Sequence, residues 1–179
     1  KTTLLKTTLF NLILAQQIGY GFFDKSNICI YDYFHCYLNI PDTSGRDSLF
    51  QAEARRCKEI LDIIKNKNSE KHFCIFDELY SGTNPYEAVA SAYSYILYLI
   101  KNNKNFKFMI TTHYLELCKK LNEKVKNNHM EVKKQNDSFY YTYLVKDGMS
   151  SVKGGLKVLR DLNYPDNIIK NAENILDKL

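Results

Sequence analysis

The chain has 179 residues, 45% hydrophobic and 25% charged, enough to bury one sizeable core, and no stretch reads as a signal peptide or membrane span. Its net charge of +5 rests on scattered lysines rather than a basic run, so charge alone assigns no nucleic-acid surface. Five cysteines (Cys29, Cys36, Cys57, Cys74 and Cys118) form no Cys-x-x-Cys pair and are odd in number, which points to a reducing, intracellular compartment.

In chain order, residues 1–17 read as a helix with Leu4, Leu5, Thr8, Leu9, Leu12 and Ala15 on one side, stopped near Gly19 and Gly21. Short strands are expected at 27–31 and 33–38, and Pro41 with Gly45 breaks the pattern over 39–47. A helix over 48–65 follows, with Phe50, Ala54, Cys57, Ile60, Leu61 and Ile64 on its apolar face and Glu53 and Arg56 among its polar positions. Strand 72–76, helix 86–101, strand 106–111 and helix 114–124 come next, an alternation that predicts a mostly parallel sheet flanked by helices. A hairpin pairing 131–134 with 139–145 and two short helices, 155–162 and 165–179, complete the chain. The expected organisation is one domain over 1–150 with a small helical element over 151–179.

The run Phe73-Cys74-Ile75-Phe76-Asp77-Glu78 carries the most chemistry: a buried strand delivers two adjacent carboxylates to a polar loop containing Gly82. Asp77 can hold Mg²⁺ through water, and Glu78 can orient and deprotonate an attacking water. Such a pair at a strand end can also simply cap or face solvent. Lys1-Thr2-Thr3, heading the first helix, reads as the end of a phosphate-binding P-loop. Lys1 would reach the β- and γ-phosphates of ATP and the Thr2 hydroxyl the metal, with Thr3 beside them. The glycines of such a loop would precede Lys1, so the chain is expected to begin inside the loop and to turn over ATP poorly by itself. His113, after Thr111-Thr112 at the end of strand 106–111, can contact the γ-phosphate or the attacking water. Ser48 stands at the amino end of the 48–65 helix, which favours an anion. Aimed at a phosphate it requires a second protomer; otherwise it is plain helix capping.

Together these residues resemble the ATPase domain of the MutS family of DNA mismatch-recognition proteins, along nearly the whole chain. The matching segments are Leu14-Ala15-Gln16 with Gly19; Ser48, Phe50 and Glu53; and Asp77, Glu78, Gly82 and Thr83. They continue with Thr112-His113-Tyr114-Leu115-Glu116-Leu117, Asn127-Asn128-His129-Met130, Tyr141-Thr142-Tyr143-Leu144 before Asp147-Gly148, and Leu162-Asn163-Tyr164-Pro165 with Ile168, Ile169 and Ala172. The resemblance implies a P-loop NTPase of ABC-like fold: an α/β domain with a β-hairpin and a small C-terminal helical dimerisation element.

Lys1, Thr2, Asp77, Glu78 and His113 would then form the cis half of an ATP–Mg²⁺ site. Ser48 would be offered in trans to the partner's γ-phosphate, and Tyr143 would stack on adenine. The implied partners are a second copy or a MutS-like subunit, DNA contacted through regions upstream of Lys1, a MutL-type protein, and no membrane. Departures at Ala54-Arg55-Arg56, Asn84-Pro85-Tyr86-Glu87 and Lys153-Gly154-Gly155 mark a diverged branch. Two other readings stay open: another ABC-like ATPase of DNA maintenance, and a dimerisation module without turnover.

Overall fold

A computed structural model describes residues 1–38, 40, 48–135, 138–150, 152 and 154–176. The expected breaker loop with Pro41 and Gly45, and Lys153, lie outside the described residues. The first helix, α1 (Thr2–Ile18), turns Leu5 and Leu9 inward and stops at Gly19, whose φ of +75° is the left-handed conformation that closes a helix end. No strand forms over 27–31, which corrects the expectation there. The backbone of Tyr31 is instead satisfied by the Gln16 side chain, which accepts from its N–H at 2.9 Å and donates to its carbonyl at 2.8 Å. With both groups taken, Tyr31 has no ladder to offer.

The sheet follows: β1 (Tyr33–Tyr37), α2 (Leu49–Asn66), β2 (His72–Asp77), α3 (Pro85–Asn102), β3 (Phe106–Thr111) and the short α4 (Leu115–Leu121). Its three strands are all parallel in the order β1-β2-β3, with Asp77 opposite Thr111 at the carboxyl end. Two faces explain why β2 is apolar almost throughout. Phe73 and Ile75 pack with Leu5 and Leu9 of α1, whereas Cys74 and Phe76 join Cys57, Ile60 and Ile64 of α2 and Ala88, Ala92, Ile96 and Leu99 of α3. Each large apolar side chain so buried contributes roughly 1.5–3 kcal/mol. The unusual Asn84-Pro85 start of α3 is good helix chemistry: Asn84 Oδ1 accepts from Glu87 N at 3.0 Å, and proline occupies the first turn.

At the opposite, amino end of the strands two imidazoles are buried against each other. His35 Nε2 and His72 Nδ1 are 3.0 Å apart, and His72 Nε2 lies 2.9 Å from the Lys67 carbonyl. A tautomer with His72 donating to that carbonyl and accepting from His35 satisfies both bonds. Burial, then the neighbouring His72 and Arg56, lowers the His35 pKa from 6.5 to about 4. The folded protein therefore resists a proton that the unfolded chain accepts. The stability that neutral His35 confers is complete above pH 6.5 and declines as pH falls from 6.5 towards 4, with a limiting slope of ~1.4 kcal/mol per pH unit. Thermal melts at pH 7, 6 and 5 should show that decline, and His35→Gln should flatten it; a flat wild-type series would refute the assignment.

Contacts divide the chain into Lys1–Lys126 and Asn127–Leu179. The second unit pairs β4 (Asn128–Gln135) and β5 (Ser138–Asp147) antiparallel and adds α5 (Gly155–Asp161) and α6 (Asp166–Leu176). The hairpin thus groups with the terminal helices in the second unit. Lys157 Nζ lies 5.9 Å over the Phe139 ring, and Arg160 pairs with Glu173 between the helices. Of the apolar positions in these helices Ile169 is buried, while Leu162 and Ile168 remain exposed. Among the described residues no helix is long and apolar enough to cross a membrane.

Candidate active site

Parallel strands bring their carboxyl ends to one edge, and most of the candidate residues of the first unit collect there. Thr2 Oγ1, at the amino end of α1, donates to Asp77 Oδ2 at 2.7 Å. Lys1 Nζ lies 3.4 Å from Glu78 Oε1 and donates to the Thr112 carbonyl at 3.1 Å. His113 Nδ1 is 3.5 Å from Glu78 Oε2. Lys1, Thr2, Asp77, Glu78 and His113, up to 112 positions apart in sequence, therefore share one cluster. Thr3 is on the same first turn, with no contact to the carboxylates among the described hydrogen bonds. Thr111, not among the residues singled out above, donates to Asp77 Oδ1 at 2.5 Å and so fixes the other carboxylate oxygen. The available signal was a hydroxyl side chain at the end of the apolar run 106–110, and the register places it opposite Asp77. Burial, then the charges of Glu78 and Glu53, raises the pKa of the adjacent Tyr114 phenol and keeps it protonated.

The loop after β2 is held in an uncommon shape. Glu78 and Tyr80 have φ of +53° and +59°, a left-handed region that costs non-glycine residues of order 1–3 kcal/mol each. Four donors fix it: Glu78 N bonds the Thr111 carbonyl at 3.1 Å, Tyr80 N the Tyr37 hydroxyl at 3.2 Å, and Ser81 N and Gly82 N the Glu53 carboxylate at 3.0 Å each. Glu53 is only 2% exposed, although it reads as one of the polar positions of its helix. It lies four residues before Cys57 on the inward stripe, and that spacing is the signal that was missed. Gly82 abuts the start of α2, where a Cβ would sit 2.8 Å from Phe50 N, so no side chain fits.

Ser48 caps α2 in a reciprocal box with Gln51, accepting from Gln51 N at 3.3 Å while Ser48 N donates to Gln51 Oε1 at 2.8 Å. It is exposed and makes no hydrogen bond to Asp77 or Glu78 among those described; Arg46 and Asp47 beside it lie outside the described residues. Tyr143 belongs to the second unit. It has φ +60° and sits where the β4–β5 register shifts between Met130 and Val132. That irregularity turns its ring outward, 82% exposed.

The model of MutS domain V matches residues 1–179. The chain belongs to the MutS family. A DNA mismatch repair protein MutS from Clostridium botulinum (strain Alaska E43 / Type E3) is 30% identical over 183 residues, covering all of this chain and 19% of that protein. Its counterpart from Aquifex pyrophilus is 32% identical over 126 residues, 68% of this chain and 14% of that protein. The one from Staphylococcus haemolyticus is 29% identical over 181 residues, 99% of this chain and 20% of its own length. The chain thus spans about a fifth or less of these MutS relatives.

The donor set of this MutS domain fits Mg²⁺ bound with a nucleotide. A hydroxyl and a carboxylate 2.7 Å apart are hard oxygen ligands of the kind that share Mg²⁺ with phosphates. Among the described residues no cluster of three or more His, Cys, Asp or Glu suggests an all-protein metal cage. A cavity of about 190 Å³ between α2 and α3, lined by Lys65, Asn68, Asn102 and Asn103 among others, lies at the amino end of the strands and has no carboxylate in its lining.

Proposed function

We propose that the chain is the catalytic part of a P-loop, ABC-like ATPase domain of a MutS-type DNA mismatch-repair clamp, working as a dimer around composite ATP sites. The observation that carries this reading is the meeting of Lys1 and Thr2 with Glu78 and Asp77 at one sheet edge. Thr2 and Asp77 would hold Mg²⁺, which neutralises phosphate charge and orients the terminal group when bound. Lys1 neutralises charge developing on the γ-phosphate, and Glu78 takes the proton of the attacking water. His113, within reach of Glu78, orients that water or contacts the γ-phosphate. Tyr143, exposed and apolar-faced, suits stacking on adenine. Residues 151–179 would be the dimerising element, with the exposed Leu162 and Ile168 as part of its face. DNA contact, a MutL-type partner and an intracellular location follow from the same reading.

Ser48 is the trans residue in this scheme. Its capping role uses the oxygen as acceptor and leaves the O–H free to donate, so both tasks are compatible. In the full-length protein Ser48→Ala should weaken ATP-dependent dimerisation about tenfold, the scale of one hydrogen bond to a charged group, while ADP affinity stays within about twofold. Sedimentation with a non-hydrolysable ATP analogue reads the outcome, and unchanged dimerisation would remove Ser48 from the site.

A further inference from the structure

We propose that Glu53 is a positioning residue that ties the catalytic loop to the helix bearing Ser48, so that each nucleotide site senses its neighbour through one buried carboxylate. This rests on the ATPase reading above. Glu53 Oε1 accepts from both Ser81 N at 3.0 Å and Ser81 Oγ at 2.9 Å, and Oε2 accepts from Gly82 N at 3.0 Å. Three bonds on two oxygens, all as acceptor, require a carboxylate; an amide would turn one oxygen into a donor facing an N–H. No lysine or arginine pairs with Glu53 among the described ion pairs, so these loop donors, together with the Tyr37 hydroxyl, compensate its buried charge.

The geometry links two ends of the chemistry. On one side, Ser81 and Gly82 continue directly from Glu78 and Tyr80, whose left-handed backbone must be held from outside. On the other, Glu53 stands in the second turn of α2, five residues after Ser48, and Gly82 packs against Leu49 and Phe50 with no room for a methyl group. A shift of the α2 start on engaging a partner's phosphate therefore reaches the backbone that aims Glu78, and the reverse is equally true. Tyr37 completes the strut by accepting from Tyr80 N, and burial raises its pKa well above the ordinary phenol range.

The test uses the full-length protein and a double-mutant cycle in steady-state ATP turnover. Glu53→Gln should lower kcat about tenfold or more with ATP KM changed less than about threefold, since the lost charged hydrogen bonds act on the aim of the base. Ser81→Ala, which removes only the hydroxyl bond on an exposed residue, should move kcat the same way by about threefold and serves if Glu53→Gln fails to fold. In a Ser48→Ala background either substitution should cost clearly less than alone, because the link it breaks no longer leads anywhere. Folded variants with wild-type kcat, or losses that multiply independently of Ser48, would overturn the proposal. Glu78→Ala separates the layers: if it abolishes turnover while Glu53→Gln does not affect it, only the strut is wrong. If Glu78→Ala turns over ATP normally, the ATPase assignment falls and the strut with it.

Discussion

Replacing Glu78 by alanine in the full-length protein is expected to lower ATP turnover by ~10²–10⁴-fold while leaving nucleotide affinity nearly intact. The magnitude follows from its position. Glu78 sits at the end of a strand buried on both faces, its N–H anchored to the Thr111 carbonyl, with Lys1 and His113 on either carboxylate oxygen. Nothing in that arrangement has the carboxylate hold phosphate, so its loss should appear in kcat and hardly in KM. Single-turnover hydrolysis alongside ATP-binding titration separates the two. Turnover within about twofold of wild type would show that another group takes the proton.

The second large effect is on stability. Phe76, one residue before Asp77, is fully buried and ringed by Tyr37, Tyr95 and Phe108 at centroid distances of 6.3, 5.9 and 6.5 Å. Phe76→Ala should destabilise the fold by about 3–5 kcal/mol through lost burial and the cavity left among three rigid rings. Set against a typical domain stability of about 5–15 kcal/mol, that is roughly a fifth or more of the total. Tyr86→Ala, at an 89% exposed ring in the first turn of α3, should stay within about 0.5 kcal/mol. Urea unfolding followed by far-UV circular dichroism measures both, and comparable midpoints would contradict the packing described.

Much of this was readable because local signals agree with the tertiary outcome. Ser48 and Asn84 cap their helices, Gly19 ends α1, and the apolar run 73–76 is buried on both faces as a parallel strand requires. The pairing of Lys1 and Thr2 with Glu78 and Asp77 was expected from residue types, and the register of β2 with β3 delivers Thr111 and His113 to the same edge. Where the sequence misled, a side chain had taken over a backbone's or a solvent's task. Gln16 satisfies Tyr31 and cancels the strand at 27–31; Glu53 turns inward because loop donors compensate its charge. The helix expected over 114–124 closes early, as Asn122 and Lys124 bond back only three residues, to the Lys119 and Leu121 carbonyls. The hairpin runs longer than its apolar pattern, since cross-strand pairing extends to the polar Asn128 and Asp147.

The strands segregate their titratable groups, with Asp77 and Glu78 at one end of the sheet and the buried His35–His72 pair at the other. Activity measured against pH on this protein would therefore overlay two unrelated curves. As acidity increases from pH 6.5 towards 4, the fold itself loosens at the imidazole end whatever the state of Glu78. The acid limb of such a profile would carry a loss of stability together with any loss of chemistry. Substituting His35→Gln would move that limb without touching the chemistry, which makes the far end of the sheet the control for the near one.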